Sequence, residues 1–90
     1  MGGEEITVKF YVASWCGPSK VAQANLSKGV NFNYKIFDVE EYASQAYEDG
    51  VLCVPTAILP NNKKVVGYFP NTFDTIEKEL SKYESSLSNT

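Results

Sequence analysis

The chain has 90 residues, 43% of them hydrophobic and 13% aromatic, which predicts a single globular domain over residues 1–90. Eleven acidic residues outnumber eight basic ones, and the net charge of −3 argues against nucleic acid as a partner, because phosphates are bound through basic side chains. Two cysteines and no histidine argue against a structural zinc site and remove Cys–His and Ser–His catalysis.

The sequence also contains no membrane-spanning stretch and no recognisable secretory signal, although a mature chain whose signal had been removed would look the same. No stretch approaches the roughly 18 consecutive apolar residues that span a bilayer. The first ten residues, MGGEEITVKF, carry acids where a secretory signal would carry bases. We therefore expect a cytoplasmic protein that does not bind membranes. In that reducing compartment a structural disulfide between Cys16 and Cys53 is not expected.

Hydrophobic periodicity predicts seven elements in the order β-α-β-α-β-β-α. Residues Ile6 to Ala13 alternate as in a strand, and Pro18 suits the first turn of a helix that Gly29 would end. The next elements are a strand over 33–39, a helix over 40–49 with an apolar face of Tyr42, Ala43, Ala46 and Tyr47, and strands over 56–59 and 64–69. In the final helix the apolar residues recur at steps of three and four: Phe73, Ile76, Leu80, Tyr83 and Leu87.

This order of elements predicts an α/β fold. Two right-handed β-α-β steps, followed by an antiparallel hairpin and a helix, would give a four-stranded mixed sheet with helices on both faces. The hairpin is predicted because only a few residues separate the last two strands, and they include the turn signal Asn61-Asn62.

The segment ASWCGPSK, residues 13–20, lies between the first strand and the first helix. A cysteine at a helix N-terminus lies beside unpaired backbone N–H groups and the positive end of the helix dipole, and both favour the thiolate. Cys16 is therefore the candidate nucleophile. A Cys-x-x-Cys pair would exchange two electrons by opening and closing a disulfide, but the second position here is Ser19, which cannot form that bond.

Two motifs resemble the thioredoxin superfamily: Trp15-Cys16-Gly17-Pro18 before a helix, and Val54-Pro55-Thr56 before a strand. The predicted order of elements matches the minimal core of that family, a thioredoxin-like fold. Because the chain lacks the extra N-terminal strand and helix of full-length thioredoxins, it is similar to glutaredoxins and small thioredoxin-like redoxins.

The resemblance implies a thiol-disulfide oxidoreductase that reduces protein disulfides without a cofactor or metal. It implies catalytic roles for Cys16, Gly17, Pro18 and the resolving position Ser19, and substrate contacts by Trp15, Val54, Pro55 and Gly67. Pro55 is expected to follow a cis peptide bond, so that the backbone of Val54 lies beside the Cys16 sulfur and pairs with an extended substrate. The implied partners are a disulfide substrate, with ribonucleotide reductase among the candidates, and a thioredoxin-type reductase. A monomer is expected.

Ser19 is the main departure from the family, because thioredoxins have the resolving cysteine there. Three explanations remain open. Ser19 is a substitution in a dithiol protein, which its surroundings favour, and mixed disulfides are then trapped at Cys16. Alternatively, the chain is a monothiol protein that uses glutathione and holds an iron–sulfur cluster, like monothiol glutaredoxins. In the third explanation it is a redox-inactive binding module.

Smaller departures also matter for these alternatives. Monothiol glutaredoxins carry Cys-Gly-Phe-Ser, and Pro18 stands in place of that Phe, which weakens the second explanation. Thioredoxins bury an Asp six residues before the nucleophile, where this chain has Phe10, so we expect Phe10 to pack in the core. Lys35 is one residue out of register with the lysine that pairs with that Asp. Cys53 resembles a non-catalytic cysteine found in some thioredoxins.

Overall fold

All seven predicted elements are present in the computed structural model, which describes residues 6–88. The strands are β1 (Thr7–Val12), β2 (Asn33–Asp38), β3 (Thr56–Ile58) and β4 (Lys64–Val66), and the helices are α1 (Gly17–Ser27), α2 (Ala43–Glu48) and α3 (Thr72–Ser88). The predicted order and fold class are confirmed. Leu87 lies outside the residues whose side chains are described. Within residues 6–88, no helix combines the length and the apolar character needed to cross a membrane.

The four strands form one mixed sheet in the order β2-β1-β3-β4. β1 runs parallel to β2, with Thr7 opposite Asn33, and antiparallel to β3, with Tyr11 opposite Thr56. β3 and β4 form the predicted antiparallel hairpin. The first strand is therefore central, and its end lies beside the start of β3.

The prediction of a second parallel β-α-β step is wrong, because β3 runs antiparallel to β1 and therefore to β2. The six residues of α2 rise about 9 Å, which is too short to carry the chain back along a strand of six residues, about 20 Å long. No return is needed for an antiparallel strand, which begins at the edge where β2 ends. β3 consequently starts at the edge of the sheet where β1 leads into the Cys16 loop.

Both faces of the sheet are covered. On one face, β1 and β3 pack against α1 and α3 through Val8, Phe10, Val12, Leu26, Ala57, Leu59, Ile76 and Leu80. On the other face, Tyr11 and Ile58 pack against Ala46 of α2. Phe10 is 2% exposed and contacts the rings of Phe32 and Phe73, so the prediction that it packs in the core is confirmed.

Helix α2 differs from its prediction in length and in its buried face. Asp38 organises a turn before the helix, since its carboxylate accepts from the N–H of Glu40 at 2.8 Å and its carbonyl accepts from Tyr42 at 2.9 Å. The helix therefore begins at Ala43, and of its predicted apolar face only Ala46 is buried. Tyr47 is 86% exposed, which leaves an aromatic ring on the surface beside the Cys16 loop.

A polar cluster joins the end of α2 to the central strand. Lys9 donates to the Asp49 carboxylate at 2.9 Å, Tyr11 donates to the same oxygen, and Gln45 donates to the Tyr11 hydroxyl at 2.9 Å. The hydrogen bonds from Lys9 and then Tyr11 hold the pKa of Asp49 below its ordinary value of 3.8. Burial and the bond to Asp49 raise the pKa of Tyr11 to about 12. Asp49 is thus a charged anchor for α2.

We predict that Asp49→Asn lowers the free energy of unfolding at neutral pH by about 1–2 kcal/mol, because it removes a charged acceptor of two hydrogen bonds. The folded-state pKa of Asp49 is depressed, so this contribution is fully present above the unfolded value near 3.8 and is lost as pH falls through the lower folded value. Urea unfolding as a function of pH should therefore show the parent and variant converging in acid. Glu48→Gln, at an exposed neighbour, is the control, and a pH-independent gap would contradict the prediction.

Candidate functional site

Cys16 lies at the junction of β1 and α1, immediately before the helix. Its backbone is extended, with φ −102° and ψ 120°, and its N–H donates to the Ala13 carbonyl at 3.1 Å. Its own carbonyl accepts the first helical hydrogen bond, from Lys20 at 3.1 Å. Pro18 follows in the first turn, where its missing N–H costs no hydrogen bond. The half-buried sulfur is therefore held at the positive end of the helix dipole.

The start of β3 brings a backbone carbonyl to this sulfur. The Cys16 thiol donates to the Val54 carbonyl, with 3.7 Å between sulfur and oxygen. The Val54–Pro55 peptide bond is cis, as predicted. The turn is held from behind by Thr56, whose hydroxyl donates to the Cys53 carbonyl at 2.7 Å. Two segments that lie 38 residues apart in sequence thus meet at one site.

Gly67 lies on the far side of the proline. Its N–H donates to the Pro55 carbonyl at 2.7 Å, and its φ of +83° is in the region that favours glycine. A Cβ at Gly67 would lie 2.9 Å from the Phe69 ring. The predicted substrate contact Gly67 is therefore next to Pro55, but it does not line the groove described below.

Ser19 is fully buried one turn behind Cys16. Its hydroxyl oxygen accepts from the Ala13 N–H at 3.2 Å, and it is not among the residues that line the adjoining groove. This bond joins the start of α1 to the end of the strand segment before it. The Ser19 hydroxyl therefore stabilises the loop. It occupies the position at which the resemblance implies a resolving thiol.

A groove of about 540 Å³ opens beside Cys16. It is lined by Trp15, which is 67% exposed, by Tyr47, and by Leu52, which is 96% exposed. Cys53 and Val54 line the same space, and none of the lining residues is charged. The groove is an apolar surface that leads to the Cys16 sulfur.

The site includes residues outside the two motifs. Trp15, Cys16, Val54 and Pro55 are brought together as predicted, and Tyr47 and Leu52 also line the groove, which the sequence does not predict. The sequence predicts Tyr47 on the apolar face of a helix, and Leu52 lies in a connection without regular structure. The one available signal was the apolar run Val51-Leu52 directly before the cysteine and the proline.

The described part of the chain offers no group of three or more His, Cys, Asp or Glu side chains placed to hold a metal ion. Gly17 and Pro18 are exposed, and nothing lies within 4 Å of the place where a Gly17 Cβ would stand. The space in front of the Cys16 loop is therefore open. The chemistry that these residues offer on their own is that of a thiol reached through an apolar groove.

We predict that Ser19→Ala lowers the free energy of unfolding by about 1–3 kcal/mol, because the buried N–H of Ala13 loses its acceptor. Ser14→Ala, at an exposed position of the same loop, is the matched control and should change stability by less than about 0.5 kcal/mol. Urea unfolding followed by circular dichroism measures both. Equal stability of the two variants would show that the Ser19 hydroxyl does not support the loop.

Neither a family model nor a curated protein matches this chain. Solved structures do. The chain is 31% identical to a thioredoxin from Nicotiana alata, with a TM-score of 0.66, and the match covers 87% of this chain and 72% of that one. It is 26% identical to oxidized mitochondrial thioredoxin 3 from Saccharomyces cerevisiae, with a TM-score of 0.72 over 86% of this chain and 80% of that one.

A reduced thioredoxin pre-protein from Schistosoma mansoni is similar to the same extent, with 26% identity and a TM-score of 0.67 over 86% of this chain and 81% of that one. These matches extend over most of both chains. On this similarity of sequence and fold, the chain belongs to the thioredoxin superfamily.

Proposed function

We propose that this chain is a thioredoxin-like thiol-disulfide oxidoreductase that attacks protein disulfides through Cys16. The observation that carries the proposal is the position of the sulfur, at the N-terminus of α1, on an open apolar groove and 3.7 Å from the Val54 carbonyl. A thiol in such a place has the accessibility and the electrostatic support that a nucleophile needs.

The first step is an exchange between a thiolate and a disulfide. The Cys16 thiolate attacks one sulfur of the substrate disulfide, a new bond forms between Cys16 and that sulfur, and the substrate S–S bond breaks. The other substrate sulfur leaves as a thiolate and takes a proton from water. The product is a mixed disulfide, and no electrons have left the pair of molecules.

Substrate binding would use the groove and the proline turn. The exposed ring of Trp15 offers a flat apolar surface for a docking protein. The backbone of Val54 would pair with an extended substrate segment as an added strand, and its carbonyl would exchange the Cys16 thiol for the substrate N–H. Pro55 and Gly67 would shape this turn. The natural partners in this proposal are a protein disulfide and a thioredoxin-type reductase.

Ser19 interrupts the second half of a thioredoxin cycle. Release of reduced substrate requires a second thiol to attack Cys16, and a serine hydroxyl forms no S–S bond. The Ser19 oxygen is also buried and occupied by the Ala13 N–H. We infer that Ser19 replaces a resolving cysteine, so that the mixed disulfide at Cys16 is long-lived unless a thiol from outside the motif attacks it.

We predict that Ser19→Cys, made in a Cys53→Ser background, raises turnover in the reduction of a protein disulfide at least about tenfold, because it restores a thiol at the resolving position. The measurement is insulin reduction with dithiothreitol as the electron source. Cys53→Ser alone should instead accumulate a mixed disulfide, which is visible by mass spectrometry without reductant.

Cys16→Ser in the same background is the negative control and should form no mixed disulfide. If Ser19→Cys gives no gain, and Cys16 is alkylated no faster than Cys53 in the parent chain, the redox proposal is wrong. The fold would then serve as a binding module that uses the surface around Trp15 and Val54.

The absence of a second thiol in the motif also suggests a monothiol glutathione-dependent protein with an iron–sulfur cluster. For this alternative we predict a negative result. Anaerobic incubation with iron, sulfide and glutathione should leave the protein colourless, because Pro18 stands in the first turn of α1 where monothiol glutaredoxins carry Phe. Visible absorbance that disappears in Cys16→Ser would favour the alternative.

A further inference from the structure

Two thiols open onto the same groove. Cys16 and Cys53 are both unpaired, both line the groove, and Cys53 is the more exposed. We propose that Cys53 acts as a substitute resolving thiol, which releases substrates from Cys16 by forming a Cys16–Cys53 disulfide. This inference rests on the proposed function, in which Cys16 forms a mixed disulfide.

The proximity of the two residues follows from the proline turn. The Val54 carbonyl contacts the Cys16 sulfur at 3.7 Å. Cys53 directly precedes Val54, and the Cα atoms of these two neighbours are about 3.8 Å apart. By contrast, Ser19 is buried and does not line the groove. The two thiols of this chain therefore share the groove in which a substrate would be bound.

The proposal requires the segment around Cys53 to bring the two cysteines within bonding range. A disulfide needs Cα atoms within about 4.4–6.8 Å of each other. Strand pairing of β3 begins only at Thr56, and Cys53 lies in a connection without helix or strand. Its carbonyl accepts from the Thr56 hydroxyl at 2.7 Å, and Cys53 itself lines the groove. No charged residue lines the groove, so no carboxylate of the wall repels a Cys53 thiolate.

The step balances in atoms and electrons. The Cys53 thiolate attacks the Cys16 sulfur of the mixed disulfide, the Cys16–Cys53 bond forms, and the bond from Cys16 to the substrate breaks. The substrate sulfur leaves as a thiolate and is protonated by water. Over both steps the substrate disulfide gains two electrons, and the two cysteines lose two electrons and their protons. A dithiol reductant then reopens the internal disulfide.

The test uses one equivalent of Ellman's reagent, an aromatic disulfide that releases a coloured thiol. In the parent chain, attack by Cys16 releases one coloured thiol, and attack by Cys53 on the mixed disulfide releases the second. In Cys53→Ser only the first should be released. We expect the second release to be at least about tenfold faster in the parent than in Cys53→Ser, and independent of protein concentration, because an intramolecular attack has a high effective concentration.

The product identifies the bond. Trypsin cleaves after lysine, so an internal disulfide should link the peptide 10–20, which holds Cys16, to the peptide 36–63, which holds Cys53. Ser19→Cys in the Cys53→Ser background is the positive control and should release both thiols through the helix position. Cys16→Ser should release one thiol and form no internal link.

The inference is overturned if the parent stops after one thiol, as Cys53→Ser does. It is also overturned if the second release rises in proportion to protein concentration and yields a covalent dimer. Failure of the proposed function gives a different result, since the reagent would then not be found on Cys16 in Cys53→Ser, and the positive control would not release a second thiol.

Discussion

The meeting of the end of β1 with the start of β3 is the constraint on which the site depends. Because β3 runs antiparallel to the central strand, with Tyr11 opposite Thr56, the chain that enters β3 lies at the edge where the chain leaves β1. The Cys16 sulfur and the Val54 carbonyl are consequently 3.7 Å apart. If β3 ran parallel to β1, it would start at the opposite edge, and Val54 would not lie beside Cys16.

The surrounding structure supports this meeting point from two sides. Behind Cys16, the Ser19 hydroxyl bonds to the Ala13 N–H and joins the helix to the strand end. Beside Val54, the Gly67 N–H bonds to the Pro55 carbonyl and joins the turn to the end of β4. Farther from the sulfur, the Asp49 carboxylate accepts hydrogen bonds from Lys9 and Tyr11, which anchors α2, a helix that lines the groove. These hydrogen bonds are made by different elements of the fold, so the geometry of the site depends on the whole sheet and on its helices.

Much of the fold could be predicted because its signals are local. The alternation in β1, the proline and glycine that bound α1, and the steps of three and four in α3 each occur within one element. The cis peptide at Pro55 and the position of Val54 followed from a resemblance of two short motifs. The wall of the groove could not be predicted this way. Tyr47 lies at helical spacing from other apolar residues of its segment. The turn organised by Asp38 nevertheless makes the helix begin later than predicted, and the Tyr47 ring is exposed. The antiparallel direction of β3 likewise depends on pairing between distant residues, which periodicity does not contain.

Trp15 is the single tryptophan of the chain, and it is exposed on the wall of the groove. Indole emission from this protein therefore arises at one place only, beside the reactive sulfur. A substrate that covers the Trp15 ring would reduce the contact of that ring with water. The resulting shift in the wavelength of tryptophan emission would report occupancy of the groove without any attached label. The position of one side chain thus gives the protein a built-in optical reporter of docking.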